Sequence, residues 1–182
     1  MIDKHFITAE SLLADSFELA ARVLASGYRP SFIVALWRGG APIGIAVQEL
    51  LEHRGVSTDH IAVRTSSYSG IDKQEKTVRV HAMDYLVSHV TPQDRLLIVD
   101  DVFDSGRSLE AVVDELHRRC PQNHPADVRI ATVYYKPSRN RSRLKPDWFV
   151  HSTERWLVFP HELVGLTDEE IAANKPAAVR RG

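Results

Sequence analysis

The chain has 182 residues, 43% of them hydrophobic and 26% charged, with a formal net charge of −1. That length suits one domain with a proper core, and the charge balance gives no global pull toward nucleic acid or an anionic membrane. A single cysteine, Cys120, excludes an intramolecular disulfide framework, no apolar run approaches the ~20 residues of a membrane span, and Met-Ile-Asp-Lys-His opens no signal-peptide core, so the cytoplasm is the default location.

Residues 8–26 read as a helix, with Thr8 as cap, Glu10 at the positive end, Gly27 as stop, and Leu12, Leu13, Phe17, Ala20, Val23 and Leu24 as the buried face. Phe32–Leu36 reads as a buried strand. It ends in Trp37-Arg38-Gly39-Gly40, and Pro42 then suits the first turn of a helix carrying Ile43, Ile45, Val47, Leu50 and Leu51. Arg38 supplies charge and the glycines expose N–H groups, which makes this turn a candidate anion site; a plain tight turn fits the same residues. It is not a Walker loop, because the chain has no Gly-x-x-x-x-Gly-Lys-Ser/Thr. Ile61–Arg64 is a short strand. Residues 66–77 are polar and without period, which predicts a loop, and Val78–Val80 can pair back as the second strand of a hairpin. Loops of that length within compact domains are often lids.

The most informative stretch is Leu96 to Ser108: Leu-Leu-Ile-Val-Asp-Asp-Val-Phe-Asp-Ser-Gly-Arg-Ser. Four apolar residues suit a strand buried on both faces, and Asp100 and Asp101 stand at its end. Asp104 follows, then the Ser105-Gly106-Arg107-Ser108 turn. Leu109, Val112, Val113 and Leu116 recur at helical spacing, so the turn opens a helix. A helix start offers unpaired N–H groups to a phosphate, Gly106 permits close approach, and the serines add hydroxyls. The acid pair can accept hydrogen bonds from a sugar diol or hold hydrated Mg²⁺. Together they make a plausible sugar-phosphate site; the plainer alternative is a capped helix with solvated acids.

Beyond this helix, which runs to about Arg119, Pro121 and Pro125 bound a turn, and Val128–Tyr135 is the next strand, ending in Lys136-Pro137. Lys136 stands at the same sheet edge as the acids, where ligands bind in such sheets, although most lysines are simply solvated. Arg139, Arg141, Arg143 and Lys145 lack interleaved aromatics and read as a solvated loop, so no nucleic-acid partner is expected. Trp148–Val150 is a short strand. Trp156, Phe159 and His161 then fall within six residues, as core or as an apolar lip over a flat heterocycle. Thr167–Glu170 reads as a capping box, and residues 175–182 as a disordered tail. The nine histidines show no zinc-ligand spacing. Alternating strands and helices predict an α/β single domain with a mostly parallel central sheet flanked by helices (core about 28–150) and a small C-terminal hood (about 151–166).

Leu96–Ser108 resembles the phosphoribosyl pyrophosphate (PRPP) signature of the type I phosphoribosyltransferases: hydrophobic strand, two acids, two apolar residues, then Asp-Thr/Ser-Gly-x-Thr/Ser. Ser105 and Ser108 replace the commoner threonines and keep the hydroxyl. The resemblance implies that fold. It implies that Asp100 and Asp101 hold the ribose hydroxyls directly or through Mg²⁺, that Ser105, Gly106, Arg107 and Ser108 wrap the 5′-phosphate, and that Asp104 lies near the base and the anomeric carbon. Arg38-Gly39-Gly40 resembles the family's pyrophosphate loop, in which the peptide before the basic residue can be cis. Ser67-Tyr68 resembles the flexible catalytic loop of the 6-oxopurine enzymes, which carry a lysine matching Lys136 against the purine O6. The stretch from Arg155 resembles their hood: Trp156 would stack on the base, the backbone of Leu157 would read its edge, and Glu162 would reach Mg²⁺, with Asp101, or the pyrophosphate side. His161-Glu162 stands where relatives more often have Trp-Asp or Trp-Glu, which leaves His161 without an assigned role. The implied activity is 5-phosphoribosyl transfer from PRPP to N9 of hypoxanthine, guanine or xanthine, by a homodimer or homotetramer. Asp104 would take or steer the proton of the purine imidazole ring. A phosphoribosyltransferase for another base, or a PRPP-binding regulator, is the alternative.

Overall fold

The computed structural model describes residues 3–69 and 76–180. In chain order its elements are β1 (Lys4–Phe6), α1 (Ala9–Ala25), β2 (Phe32–Trp37), α2 (Gly40–His53), β3 (Asp59–Ser69), β4 (Lys76–His81), α3 (Asp84–His89), β5 (Arg95–Phe103), α4 (Arg107–Arg119), β6 (Asp127–Tyr135), β7 (Trp148–Ser152), β8 (Trp156–Val158) and α5 (Asp168–Asn174). Six strands form one sheet in the order β4-β3-β2-β5-β6-β7, in which only the β3–β4 pair is antiparallel. β1 and β8 pair in parallel as a separate two-stranded unit. The predicted α/β fold, with a mostly parallel sheet between helices, is the one observed.

Alternation along the central strands sorts their side chains into two cores. Ile33, Leu97, Val99, Ala131 and Val133 meet Leu19, Ile43, Val47 and Leu51 of α1 and α2. Phe32, Val34, Leu36, Leu96, Ile98 and Ile130 meet Leu86 of α3 and Leu109, Val112 and Leu116 of α4. Burial on both faces explains the unbroken apolar runs of β2 and β5. The first core also takes in Leu157 and Phe159, so the hood is continuous with it.

Sequence and structure part in several places. Thr8 caps α1 as predicted, accepting from the Ser11 amide at 3.0 Å. Its buried face, however, is Leu12, Ser16, Leu19, Ala20 and Val23, while Leu13 is 51% and Phe17 40% exposed. Leu12 and Leu13 are neighbours that each start a helical repeat, and packing on α2 selects the first. Ile45, placed on the apolar face of α2, is exposed for the same reason. The loop predicted over 66–77 begins later, because β3 continues through Ser69 in register with β4. Ladder hydrogen bonds hold these polar residues extended without an apolar alternation. β1 and α3 carry no clear sequence signal. The tail is not disordered at its start: Lys175 is buried, and Ala177–Arg180 forms a 3₁₀ turn. α5 shows the predicted capping box, and its Glu170 also receives Lys4 Nζ at 2.7 Å, which ties the C-terminal helix to β1. Among the described residues, no helix is long and apolar enough to cross a membrane.

The sheet changes winding direction between β2 and β5. α2 leads from β2 to β3 on one side, and α4 leads from β5 to β6 on the other. The carboxyl ends of these two strands border a crevice of the kind that binds ligands in doubly wound sheets. α2 can pack tightly beside β2 only because of Gly44, where a Cβ would come within 2.7 Å of the Ala35 Cβ. Gly44→Val should therefore lower the unfolding free energy by about 2 kcal/mol, as overpacking does. A shift of the urea midpoint at constant slope measures it.

Candidate functional site

Both motif loops converge on this crevice. Register sets Ala35 opposite Val99, so the Trp37–Gly40 turn leaves β2 beside the acids of β5. The Trp37–Arg38 peptide is cis. A Cβ on Gly39 would fall inside the Asp101 carboxylate, and one on Gly40 would overlap the Val99 carbonyl and stand 3.2 Å from Asp100 Oδ1. Only glycine permits that approach. The amides of Gly40 and Asp101 both donate to the Asp100 carboxylate, the latter at 3.0 Å. The candidate anion turn and the acid pair, 60 residues apart, are thus one site.

The pair is short of positive charge. Burial pushes the Asp100 carboxyl well above the usual carboxylate range, and the charge of Asp101 adds to this. Burial likewise raises Asp101, and Glu162 repels it further. His161 places Nε2 3.8 Å from Asp101 Oδ2. Burial, with Arg38 and Lys175 acting the same way, pulls that imidazole below its usual pKa against the opposing pull of Glu162, so it is neutral at neutral pH and supplies no full countercharge.

Beyond the pair, β5 stays in register with β6 to Phe103, which delivers Asp104 to the crevice. Gly106 adopts φ +76° and caps α4, with no side chain capping the first turn. A Cβ there would also strike Phe103 and Ser142. The uncapped start of α4, with Ser105 and Ser108 beside it, has the donors that a phosphate needs. Arg107 is exposed at its first position.

Asp104 faces two cations. Lys136 Nζ lies 3.5 Å from Oδ2 and Arg139 Nε lies 2.9 Å from Oδ1. Lys136 is only 4% exposed, which is unusual for a lysine and means that it is held where it stands. The turn carrying Arg139 is fixed in place, since the Ser138 amide and hydroxyl both donate to the Glu154 carboxylate. Asp101, Asp104, Lys136, Trp156, Leu157 and Glu162 line a cleft of about 240 Å³. Val102, Arg139 and Phe159 complete its walls. Trp156 is 49% exposed at the mouth, so an aromatic face is free to cover a ring.

Of the residues singled out from sequence, Arg38, Gly39, Asp100 and Asp101 gather at one end of this crevice, with Asp104, Lys136, Trp156, Leu157 and Glu162 along its cleft. Ser67 and Tyr68 lie in β3, opposite Val78 and Thr77; residues 70–75 of the expected lid lie outside the described residues. Sequence reasoning missed Arg139, which was grouped with a solvated basic run. Of the rest of that run, Arg143 pairs with Glu110 and Asp114 of α4, Arg141 donates to the carbonyls of Ser138 and Asn140, and Lys145 is exposed.

The acid pair suits a divalent cation. Two buried carboxylates with raised pKa values gain most from a cation that neutralises them. Among the described residues no group of three or more His, Cys, Asp or Glu side chains forms a ready metal cage.

A family model described as a phosphoribosyl transferase domain matches residues 7–166. A hypoxanthine-guanine phosphoribosyltransferase from Lactococcus lactis is 28% identical over 180 residues, 96% of this chain and 88% of that protein. A purine phosphoribosyltransferase from Pyrococcus horikoshii superposes with a TM-score of 0.73 at 25% identity, over 91% of this chain and 99% of its own. A hypothetical protein from Neisseria gonorrhoeae with bound ppGpp shares the fold with a TM-score of 0.76 at 20% identity, over 94% and 96% of the two chains.

A raised folded-state pKa means that the folded protein keeps a proton the unfolded chain has released. Stability then falls as pH climbs from the usual carboxylate range through the raised value. In buffer with chelator, Asp100→Asn should be more stable than the parent at pH 8 and should lose that advantage as pH falls toward 4. Thermal melts across that range test this, and a parent curve flat in pH would contradict it.

Proposed function

The chain belongs to the phosphoribosyl transferase family, and from that premise we propose that it transfers the 5-phosphoribosyl group of PRPP to N9 of a 6-oxopurine (hypoxanthine, guanine or xanthine), releasing pyrophosphate. One observation carries the reading: a glycine turn, a buried acid pair and an uncapped helix start share a crevice with a cleft that sets a buried lysine beside an exposed tryptophan.

In this reading the 5′-phosphate lies on the Ser105–Ser108 turn at the start of α4, the ribose hydroxyls on Asp100 and Asp101, and the pyrophosphate on the Arg38–Gly40 turn. The bond from the anomeric carbon to the pyrophosphate oxygen breaks as that from N9 forms, with oxocarbenium character between. The protein's share is positioning and charge, with little covalent chemistry. Asp101 and Glu162 would hold Mg²⁺, which when bound supplies the positive charge the pyrophosphate requires. The neighbouring carboxylates favour the positive charge that develops on the sugar. Lys136, held at the cleft, donates to the purine O6. Asp104, oriented by Arg139 and Lys136, accepts the proton released from the imidazole ring or steers it by hydrogen bonding. Trp156 stacks on the base while the backbone of Leu157 reads its edge. The proposal includes a homodimer or homotetramer and a cytoplasmic salvage role.

The first experiment is pyrophosphate release with PRPP and Mg²⁺ against hypoxanthine, guanine, xanthine, adenine, uracil and orotate in turn. Turnover confined to 6-oxopurines supports the reading. Turnover with adenine or a pyrimidine alone moves the acceptor, and PRPP binding with no turnover on any base favours a regulator. Asp104→Asn should lower kcat roughly a hundredfold while PRPP affinity stays within about twofold. Loss of PRPP binding in that variant would remove Asp104 from this role.

A further inference from the structure

One buried cation has no part in the chemistry outlined above. Lys175 lies beyond the family-matched segment that ends at residue 166, and is only 4% exposed. Its Nζ donates to the Phe159 carbonyl at 2.7 Å and reaches the Pro160 carbonyl at 3.3 Å. An ammonium is rarely buried, because desolvation is costly unless strong acceptors replace water. Burial pulls this one below the usual lysine pKa, and Glu162 pulls it back up.

Its acceptors belong to the part of the hood that meets the site. The Phe159 amide donates to Glu162 Oε2 at 2.9 Å, so the main chain of Phe159 is held on both sides: amide to Glu162, carbonyl to Lys175. Immediately before it come Trp156 and Leu157, which line the cleft; His161 and Glu162, next to Asp101, come just after. The arm that carries Lys175 is itself anchored. Glu170 of α5 closes the capping box with Thr167 and receives Lys4 Nζ of β1, and β1 is the parallel partner of β8, which contains Trp156 and Leu157. β8, the 159–162 turn, α5 and β1 form a closed ring of interactions, with Lys175 joining α5 to the turn.

We propose that Lys175 is a positioning residue: it clamps the Phe159–Pro160 carbonyls so that the hood presents Trp156 and Leu157 to the base. The nature of the base rests on the phosphoribosyl-transfer reading; the clamp rests on the hydrogen bonds alone. The 5′-phosphate turn at Ser105–Ser108 belongs to another loop, so the clamp bears on the base more than on PRPP, whose side of the site it touches through Glu162.

The test compares the parent with Lys175→Met, which keeps the length of the side chain and removes its donors. With a 6-oxopurine as acceptor, KM for the base should rise about fivefold to tenfold, and by more than KM for PRPP, because only Glu162 links the clamp to the pyrophosphate side. A lysine that only anchored the C-terminal arm would change thermal stability and leave both KM values alone, and that result overturns the proposal. Glu170→Gln, which loosens α5 and leaves Lys175 in place, guards against misfolding of the first variant: it should raise KM for the base about twofold to threefold, and an unchanged KM in this folded variant also counts against the clamp. If the parent turns over no base, the transfer reading fails, and hydrogen exchange decides the clamp by itself. Faster exchange of the amides of 156–162 in Lys175→Met supports it, and parental exchange there overturns it.

Discussion

The parallel pairing of β2 with β5 is the constraint on which the rest of the site depends. It sets Ala35 opposite Val99 and ends two strands side by side. Their chains then leave in opposite directions around the sheet, which opens the crevice. From that point residue identities are tightly constrained. Gly39 and Gly40 are needed because any side chain would occupy the space of the Asp100–Asp101 pair. Gly44 lets α2 pack close enough to β2 to bring the turn there. The same closeness buries two carboxylates together, a loss of stability at neutral pH that the large cores on either side of the sheet can absorb.

That constraint also explains what was legible in the sequence. Strands buried on both faces announce themselves as apolar runs, so β2, β5 and β6 could be read, and so could the acids and glycine turns at their ends. The pairing of Val102 with Tyr134 and Phe103 with Tyr135 carries β5 past its acids, which composition alone marks as the end of the strand. Where the hydrogen-bond ladder, and not burial, holds the chain extended, no apolar pattern is required, and β3 ran further than its residues suggested. The face of α1 was read correctly at Leu12, Ala20 and Val23 and misjudged at Leu13 and Phe17 for a related reason. Leu12 and Leu13 offer two registers of nearly equal hydrophobicity, and only the position of α2 decides between them.

Charged residues were the least legible, since their meaning lies in partners distant in sequence. Arg139 looks like one of several loop cations until Asp104 is placed 2.9 Å away. Lys175 sits in a small, polar tail, and nothing in its surroundings predicts that it reaches Phe159. Lys4 and Glu170, near opposite ends of the chain, meet to tie β1 to α5. A pattern of period 2 or 3.6 carries information about apolar faces. It carries none about which cation a carboxylate will find.

The two halves of the site therefore differ in how they are built. The acid pair and its glycine turn sit on adjoining central strands, fixed by ladder hydrogen bonds and packed on both sides, so changes of backbone or volume there disturb the whole fold. The base end is different. Lys136 follows directly on β6, but Trp156, Leu157 and Glu162 come from a hood formed by two three-residue strands, one turn and the α5 arm. It is joined to the core through Leu157 and Phe159 and secured at its edges by ion pairs and main-chain hydrogen bonds. Discrimination among flat heterocycles depends on hydrogen bonds to ring edges, where misplacement by about 1 Å is severe. In the proposed reading, chemistry common to many acceptors would fall to the rigid half, and selectivity among bases to the anchorage of the hood.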